Sequence, residues 1–503
     1  MRVVICGAGT AGCVLAARLS EDPGTDVVLL EAGPHYSPDA WPASLSHPYR
    51  VIRETHDWGF HAQAGASPRL VHVPRGRVVG GSSITNGAIA LRGHPQHYDD
   101  WDEYVDGFGW ETWLPWFRAI ERDGQFGSAP EHGDHGPIPI NRYPREEWYP
   151  LIERFAEAAL ARGHAWVDDH NHPGALGIGP TPFNMEHGRR QTPADHYLDP
   201  ALERPNLTLV TGVTVDRLIV DKMRAVGVDA LNERGETVRF EGDHVIMCLG
   251  TYVSPAVLMR SGIGPPDEIR LQGIPLVAPL VGVGQGMQDH PKISYRFWIE
   301  TPRPVWPAPW IQTLLTGTVE VAGDERAYQV MPYSGTSDGG HHFTDLNVQV
   351  ADARGRRGRV TLQSRDPHAQ PVLFMGWLEA DRDRDVAEAA GRELMALART
   401  KPLSEVIHTW PNQDDPDHPL RTVETFHHPV GTCRMGRPND PTAVVNSMGR
   451  VLGMDGLSVI DASVIPRIPS ANTHLAVIAL AERLAAGLRP GSPVRTGDIH
   501  RTI

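Results

Sequence analysis

Short apolar runs that end in glycine recur along this chain, and they mark out its elements. Residues 2–6, RVVIC, are β-branched and apolar and run straight into Gly7, the pattern of a buried strand. Leu15 and Leu19 then stand one turn apart, which predicts a helix, and VVLLEAG at 27–33 predicts a second buried strand carrying Glu31 near its end. LTLVTGVTVDRLIV (207–220) reads as strand. GTYVSPAVLMRSGIG (250–264) reads as a strand end, a helix from Pro255 to Arg260 and a turn, and GLSVIDASVIP (456–466) as a strand entering a turn at Asp461. HFTDLNVQVAD (342–352) alternates instead: Leu346, Val348 and Val350 share one face, Asp345, Asn347 and Gln349 the other. PSANTHLAVIALAERLA (469–485) is a loop feeding a helix, with Leu475, Ile478 and Ala479 on one side. The mixture predicts an α/β protein.

Composition narrows the class. With 503 residues the chain can bury a substantial core; a prior of about 150 residues per domain suggests about three units, though large α/β enzymes run longer as one or two. The 51 glycines and 44 prolines imply many turns rather than a helical bundle. A net charge of 47 − 61 = −14 disfavours nucleic acid and anionic membrane as partners; solubility explains it as well as a cationic or neutral substrate does. Cys6, Cys13, Cys248 and Cys433 form neither a disulfide framework nor a metal-ligand spacing, so a cytoplasmic setting is expected. No run of 18 apolar residues exists to span a membrane, and MRVVICGAGTAGC is not a signal peptide.

The first strand, turn and helix hold G-x-G-x-x-G at Gly7, Gly9 and Gly12. Gly7 permits the tight turn, Gly9 lets the backbone approach a pyrophosphate, and Gly12 lets the helix pack on the strand. The helix N-terminus, with Thr10 and Ala11, then faces the diphosphate with its positive end. Glu31, followed by Ala32, stands where a carboxylate accepts from ribose hydroxyls, which disfavours the 2′-phosphate of NADP. The motif does not separate FAD from NAD.

A second glycine cluster, PRGRVVGGSSITNGAIALRG (74–93), holds Gly76, Gly80 and Gly81 with Ser82 and Ser83, and VGVGQGMQDHP follows at 281–291. These segments, with 250–264 and the C-terminal block 426–486, resemble the glucose–methanol–choline (GMC) oxidoreductases, FAD enzymes that oxidise alcohols. One family signature fits residues 76–99, with Thr85 in place of the usual aliphatic residue, and another fits 250–264 throughout. The resemblance, spread over nearly the whole chain in family order, decides for FAD. It implies a Rossmann-like FAD-binding domain interleaved with an α+β substrate domain on an antiparallel sheet: residues 1–99, 201–291 and 421–503 for the first, 100–200 and 292–420 for the second. It places Val79, Gly80, Ser83, Asn86, Gly87, Ala88 and Ile89 along the flavin, Val213 at the adenine, and Asp461 with Ala462 at the diphosphate and ribityl chain. Some members link flavin covalently to a histidine at the position of Thr85. Threonine cannot form that link, so noncovalent FAD is expected.

FHHPVGTCRMG (426–436) carries two adjacent histidines. The resemblance makes His428 catalytic and puts His427 beside or behind the flavin ring; extended neighbours point to opposite sides, so only one faces the flavin. The second family position, histidine or asparagine in other members, falls at His474. A neutral imidazole accepts the alcohol proton while hydride leaves carbon, and a second donor stabilises the alkoxide. His428 is expected as base and His474 as alkoxide partner, with exchanged roles left open.

The substrate half is less legible. The face bearing Asp345, Asn347 and Gln349 meets either the pocket, where it suits a polyhydroxylated or amine-bearing substrate, or solvent. RPVWPAPWIQTLL (303–315) is a pocket lid or ordinary loop packing, and RGRRGR (354–359) a solvated turn. His132, Asp134 and His135, with Asp168, Asp169, His170 and His172, are dense in ligand types, but no metal is expected. The leading expectation is FAD-dependent oxidation of an alcohol, a primary one to its aldehyde, with oxygen or another electron acceptor. Aryl or furan alcohols, sugar-like or aminoglycoside hydroxymethyl groups and a peptide-derived redox carrier all suit the fold. Rival readings are a cyanohydrin lyase with non-redox FAD and a noncatalytic flavin-binding protein. Oligomeric state is not legible.

Overall fold

The computed structural model describes residues 1–37, 40–45, 51–65, 69–299, 311–336, 342–352, 358–410 and 418–489. Residues 303–310 of the proline- and tryptophan-rich stretch and 354–357 of the basic turn lie outside them.

Five apolar strands form a parallel sheet in the order Leu207–Val210, Asp26–Leu30, Arg2–Cys6, His244–Met247 and Leu457–Val459. Val3 to Cys6 and Val27 to Leu30 are buried on both faces, which is why these strands read as continuous apolar runs. Helix Thr10–Leu19 packs on this sheet and against helix His474–Leu488. Arg18 joins them by a two-pronged ion pair to Glu482 (2.8 and 2.9 Å). The stretch read as one strand over 207–220 is two. It breaks at Gly212 (φ 71°), and Thr214–Asp221 leaves to form an antiparallel sheet with Arg224–Leu231 and Thr237–Glu241. Val213 therefore sits in the joint between two sheets, at the carboxyl end of the parallel one.

A second layer is an antiparallel sheet in the order Ile407–Thr409, Pro291–Ile299, His342–Val350, Asp324–Thr336, Thr313–Val321 and Gly177–Pro180. Helix Asp381–Ala398 covers one face. A Cβ on Gly391 would come within 2.1 Å of Tyr295 Oη, so a side chain there would have to displace the Tyr295 ring. Leu346, Val348 and Val350 are buried. The opposite face, at Asp345 and Asn347, forms a wall of the large cavity between the two sheets.

The histidine- and acid-rich loops form a buried ion network. Glu121 pairs with Arg92, and Arg142 reaches Asp123 (2.9 Å) and Asp169 (2.6 Å). His132 bridges Glu121 (2.9 Å) and Asp169 (2.8 Å). Three carboxylates thus face two guanidiniums and an imidazole. Burial opposes charge on His132, but its bonds to Asp169 and Glu121 outweigh that and raise its pKa to about 9. With His132 protonated the charges balance without a metal ion.

Candidate active site

A cavity of about 1160 Å³ runs from the first glycine loop to the antiparallel sheet. At one end the roles read for the three glycines separate. A Cβ on Gly7 would meet Cys248 O at 2.6 Å, and one on Gly12 would meet Gly7 O at 1.9 Å, so both are needed for backbone packing. Among the described residues the nearest atom at Gly9 would be Gly81 Cα at 4.0 Å, and at Gly87 nothing lies within 4 Å; there the backbone opens on the cavity. Glu31 is buried, its Oε1 accepting from Gly33 N–H (2.8 Å) and its Oε2 from Ala8 N–H (3.0 Å). Burial raises its pKa to about 7 against those bonds. It therefore ties down the glycine loop as well as lining the cavity.

Thr10, Ala11, Ala32, Ser83, Thr85, Asn86 and Ile89 also line the cavity, as do Val213, Asp461 and Ala462. The N–H of Val213 is taken by Glu31 O (3.0 Å). Asp461 accepts from Gly250 N–H (2.8 Å), Ser254 hydroxyl (2.6 Å) and Ser463 N–H (2.8 Å), so its carboxylate holds two turns in place at the cavity edge. Val79, Gly80 and Ala88 were expected along the flavin but lie one layer behind. Gly80 N–H bonds Ala8 O (2.7 Å), Val79 N–H bonds Pro34 O (3.0 Å), and Ala88 packs among Phe183, Leu314 and Met331. Gln349, expected on the pocket face, is fully buried and off the cavity.

The histidine pair departs from the extended conformation expected of it. His427 has φ 71°, a left-handed geometry uncommon for a residue with a side chain. The resulting kink lets both rings line one cavity. His427 is pinned by its own N–H to Thr425 Oγ1 (2.7 Å), by Arg75 donating to its carbonyl (3.1 Å) and by Arg53 donating to Nε2 (3.1 Å). An imidazole that accepts from a guanidinium is neutral; burial, with Arg53 and Arg75, holds it well below the usual range.

His428 is 7% exposed. Its ring stacks on Phe426, its Nδ1 lies 2.9 Å from Nδ1 of His290, and its Nε2 accepts from Asn472 Nδ2 at 3.0 Å. Burial first, then His290 and Arg75, keep its pKa well below the usual value. His474 opens its helix on the same cavity. Burial and nearby Arg190 lower it to about 4, and its Nε2 has no hydrogen-bond partner among the described residues. Arg190 is itself fully buried, bonded to the carbonyls of Ile84 and Asn86.

On the sheet wall, Asp345 is engaged by Arg296 through two parallel bonds of 2.7 Å, and Glu424 by Lys292 at 2.8 Å. Asp345 is therefore not free to meet an amine, contrary to one of the two expectations for this face. Its cross-strand neighbour in the register, Arg296, was the missed signal. Asn472, Asp289 and His290 were also missed, although all three lie in segments singled out for their motifs.

Known proteins agree with this architecture. Residues 1–292 and 354–481 match the family models of the GMC oxidoreductase N- and C-terminal regions. A GMC-type oxidoreductase of Rhodococcus erythropolis is 34% identical over 96% of this chain and 97% of its own length. The oxygen-dependent choline dehydrogenase of Burkholderia pseudomallei is 35% identical over 98% of this chain and 94% of its own. Among solved structures, pyridoxine 4-oxidase from Mesorbium loti superposes with a TM-score of 0.89 at 30% identity, covering 97% of this chain and 99% of that one. The glycine loop, the open backbone at Gly9 and Gly87 and the cavity between the sheets suit the family's dinucleotide cofactor: the chain belongs to the GMC oxidoreductases, and its cofactor is FAD.

Proposed function

We propose that the protein oxidises a primary alcohol to its aldehyde, with His428 as the proton acceptor. The observation that carries this reading is the setting of His428: a buried neutral ring whose Nε2 bears a lone pair on the cavity side, bonded by Asn472, with the unpartnered Nε2 of His474 in the same cavity. An alcohol hydroxyl that displaces the Asn472 amide from Nε2 of His428 gives its proton to that nitrogen as the C–H bond is broken, and the freed amide N–H turns to the alkoxide oxygen. His474 and Asn472 supply the polar contacts that hold the alkoxide oxygen. Bound FAD supplies the acceptor for the hydride.

In this reading the helix N-terminus at Gly9, Thr10 and Ala11 holds the FAD diphosphate, Glu31 the ribose, and Ser83 to Ile89 the flavin. Thr85 leaves the cofactor noncovalent. The substrate part comprises residues 100–200 and 292–420, and the FAD part the remainder. The ion pairs of Asp345 and Glu424 favour a neutral alcohol over a quaternary-ammonium one, even though choline dehydrogenases are among the relatives. Polar Asn347 and Ser294 beside apolar Met331 and Ile311 suit a ring bearing hydroxyl groups.

The test is the flavin absorbance of the purified holoprotein, followed without oxygen while neutral and cationic alcohols are added. Bleaching by a neutral primary alcohol supports the reading, and the rate of recovery in air separates oxygen from another acceptor. No bleaching across the panel, with cleavage of a cyanohydrin instead, overturns it.

A further inference from the structure

Two segments 138 residues apart are sewn together behind His428. Pro291 and Lys292 pair antiparallel with Thr425 and Glu424, and Gln288 and Val430 exchange backbone bonds of 3.0 and 2.8 Å. Asp289 sits at the seam. Its Oδ1 accepts from the N–H of both His290 (2.9 Å) and His428 (2.8 Å), and its Oδ2 accepts from the Thr425 hydroxyl (2.6 Å). The two rings are thereby brought Nδ1 to Nδ1 at 2.9 Å, crossing at 82°. His290 is completely buried and does not itself line the cavity; it stands behind His428, which does.

Two neutral imidazoles in such contact share one proton. With none, lone pair faces lone pair; with two, N–H faces N–H. Which ring holds it is fixed from the other side. Asn472 donates to Nε2 of His428, so that nitrogen is unprotonated and the ring's proton is on Nδ1. His290 Nδ1 is then the acceptor, and its own proton is on Nε2.

We propose that His290 is a positioning residue: by accepting the Nδ1–H of His428 it holds His428 in the tautomer whose Nε2 presents a lone pair to the cavity. It remains bonded to the imidazolium formed when Nε2 takes a proton. The balance is simple. The Asn472 N–H leaves Nε2 for the substrate oxygen, the hydroxyl O–H bond breaks, an Nε2–H bond forms, and the Nδ1–H···Nδ1 bond persists, so no second proton acceptor is required. The proposal rests on reading His428 as the base.

The test compares the wild-type holoprotein with His290→Ala, His290→Asn and His428→Ala, each checked for flavin content and thermal midpoint. Asparagine places an amide oxygen near the former Nδ1, where it accepts the same proton. Selective ¹⁵N-histidine labelling reads the tautomer directly, with the His428 signals identified by their loss in His428→Ala. We expect Nδ1–H His428 in the wild type and in His290→Asn, and a loss of that form in His290→Ala. In turnover, His290→Ala should lower kcat about 10- to 100-fold at little change in KM and move the acid limb of the pH profile, and His290→Asn should restore most of both. An Nδ1–H signal unchanged in His290→Ala overturns the proposal, as does an unchanged pH profile. Turnover that survives His428→Ala instead sinks the base assignment itself, so the two failures are distinguishable.

Discussion

Nδ2 of Asn472 lies 3.0 Å from Nε2 of His428, and the amide sits two residues ahead of His474 on the loop that enters helix His474–Leu488. A donor from Asn472 keeps the Nε2 proton-free and aims the ring. Replacing Asn472 with Ala removes the donor and should lower kcat about 10²-fold with FAD retained. Asn472→Asp substitutes an acceptor, which favours the Nε2–H tautomer, and should cost at least as much. Steady-state kinetics of the two variants decide this; an Asp variant as active as wild type would show that the lone pair on Nε2 is not needed.

His428→Ala should cost about 10²- to 10⁴-fold in kcat, the range of a general base. The proposed cofactor cradle, on Gly9, Glu31 and the cavity-lining residues of 83–89, lies elsewhere, so the flavin spectrum should persist. His427→Ala should be milder: its imidazole already accepts from Arg53. Equal losses from both variants would assign the base wrongly.

The glycine loop gives a contrast. Gly12→Ala places a methyl 1.9 Å from Gly7 O and should yield misfolded or insoluble chain. Gly9→Ala meets nothing closer than 4.0 Å among the described residues and should fold, yet carry little FAD if the diphosphate approaches there as proposed. Flavin-to-protein absorbance ratios of the soluble fractions measure this. Full flavin content in Gly9→Ala would move the diphosphate away from the loop.

Thr85 lines the cavity and has no ring nitrogen to bond a flavin. Acid precipitation of the holoprotein should therefore leave all yellow colour in the supernatant; colour in the pellet would contradict noncovalent binding.

What the sequence made legible follows from physical period and geometry. Strands buried on both faces and the glycine turn are local patterns that the structure repeats, and of the alternating strand's polar face Asp345 and Asn347 line the cavity while Gln349 does not. Contacts between distant segments did not show. Arg296 and Asp345 meet only through strand register, His290 and His428 only through the antiparallel seam at Asp289, and the left-handed turn at His427 is a residue type that gives no local warning. The break at Gly212 was signalled by glycine inside a strand pattern.

Buried histidines also set the pH range of the fold, and with opposite signs. Burial lowers His97, His170 and His474 to about 4, His97 and His170 against nearby aspartates. A folded pKa below the unfolded 6.5 means that the unfolded chain binds protons first. Stability is then full above 6.5 and drains as pH falls towards 4, by up to about 3 kcal/mol for each such group. His132 runs the other way. Held at about 9 by Asp169 and Glu121 against burial, it contributes fully below 6.5 and loses that contribution as pH rises through 9, when the Glu121–Asp123–Asp169 cluster is left with excess negative charge. The thermal midpoint of the holoprotein should therefore fall on both sides of a plateau. His132→Gln should have a lower plateau and lack the alkaline limb while keeping the acid one. Melting curves from pH 4 to 10 test this, and an alkaline limb that survives the substitution would place the responsible proton on another group.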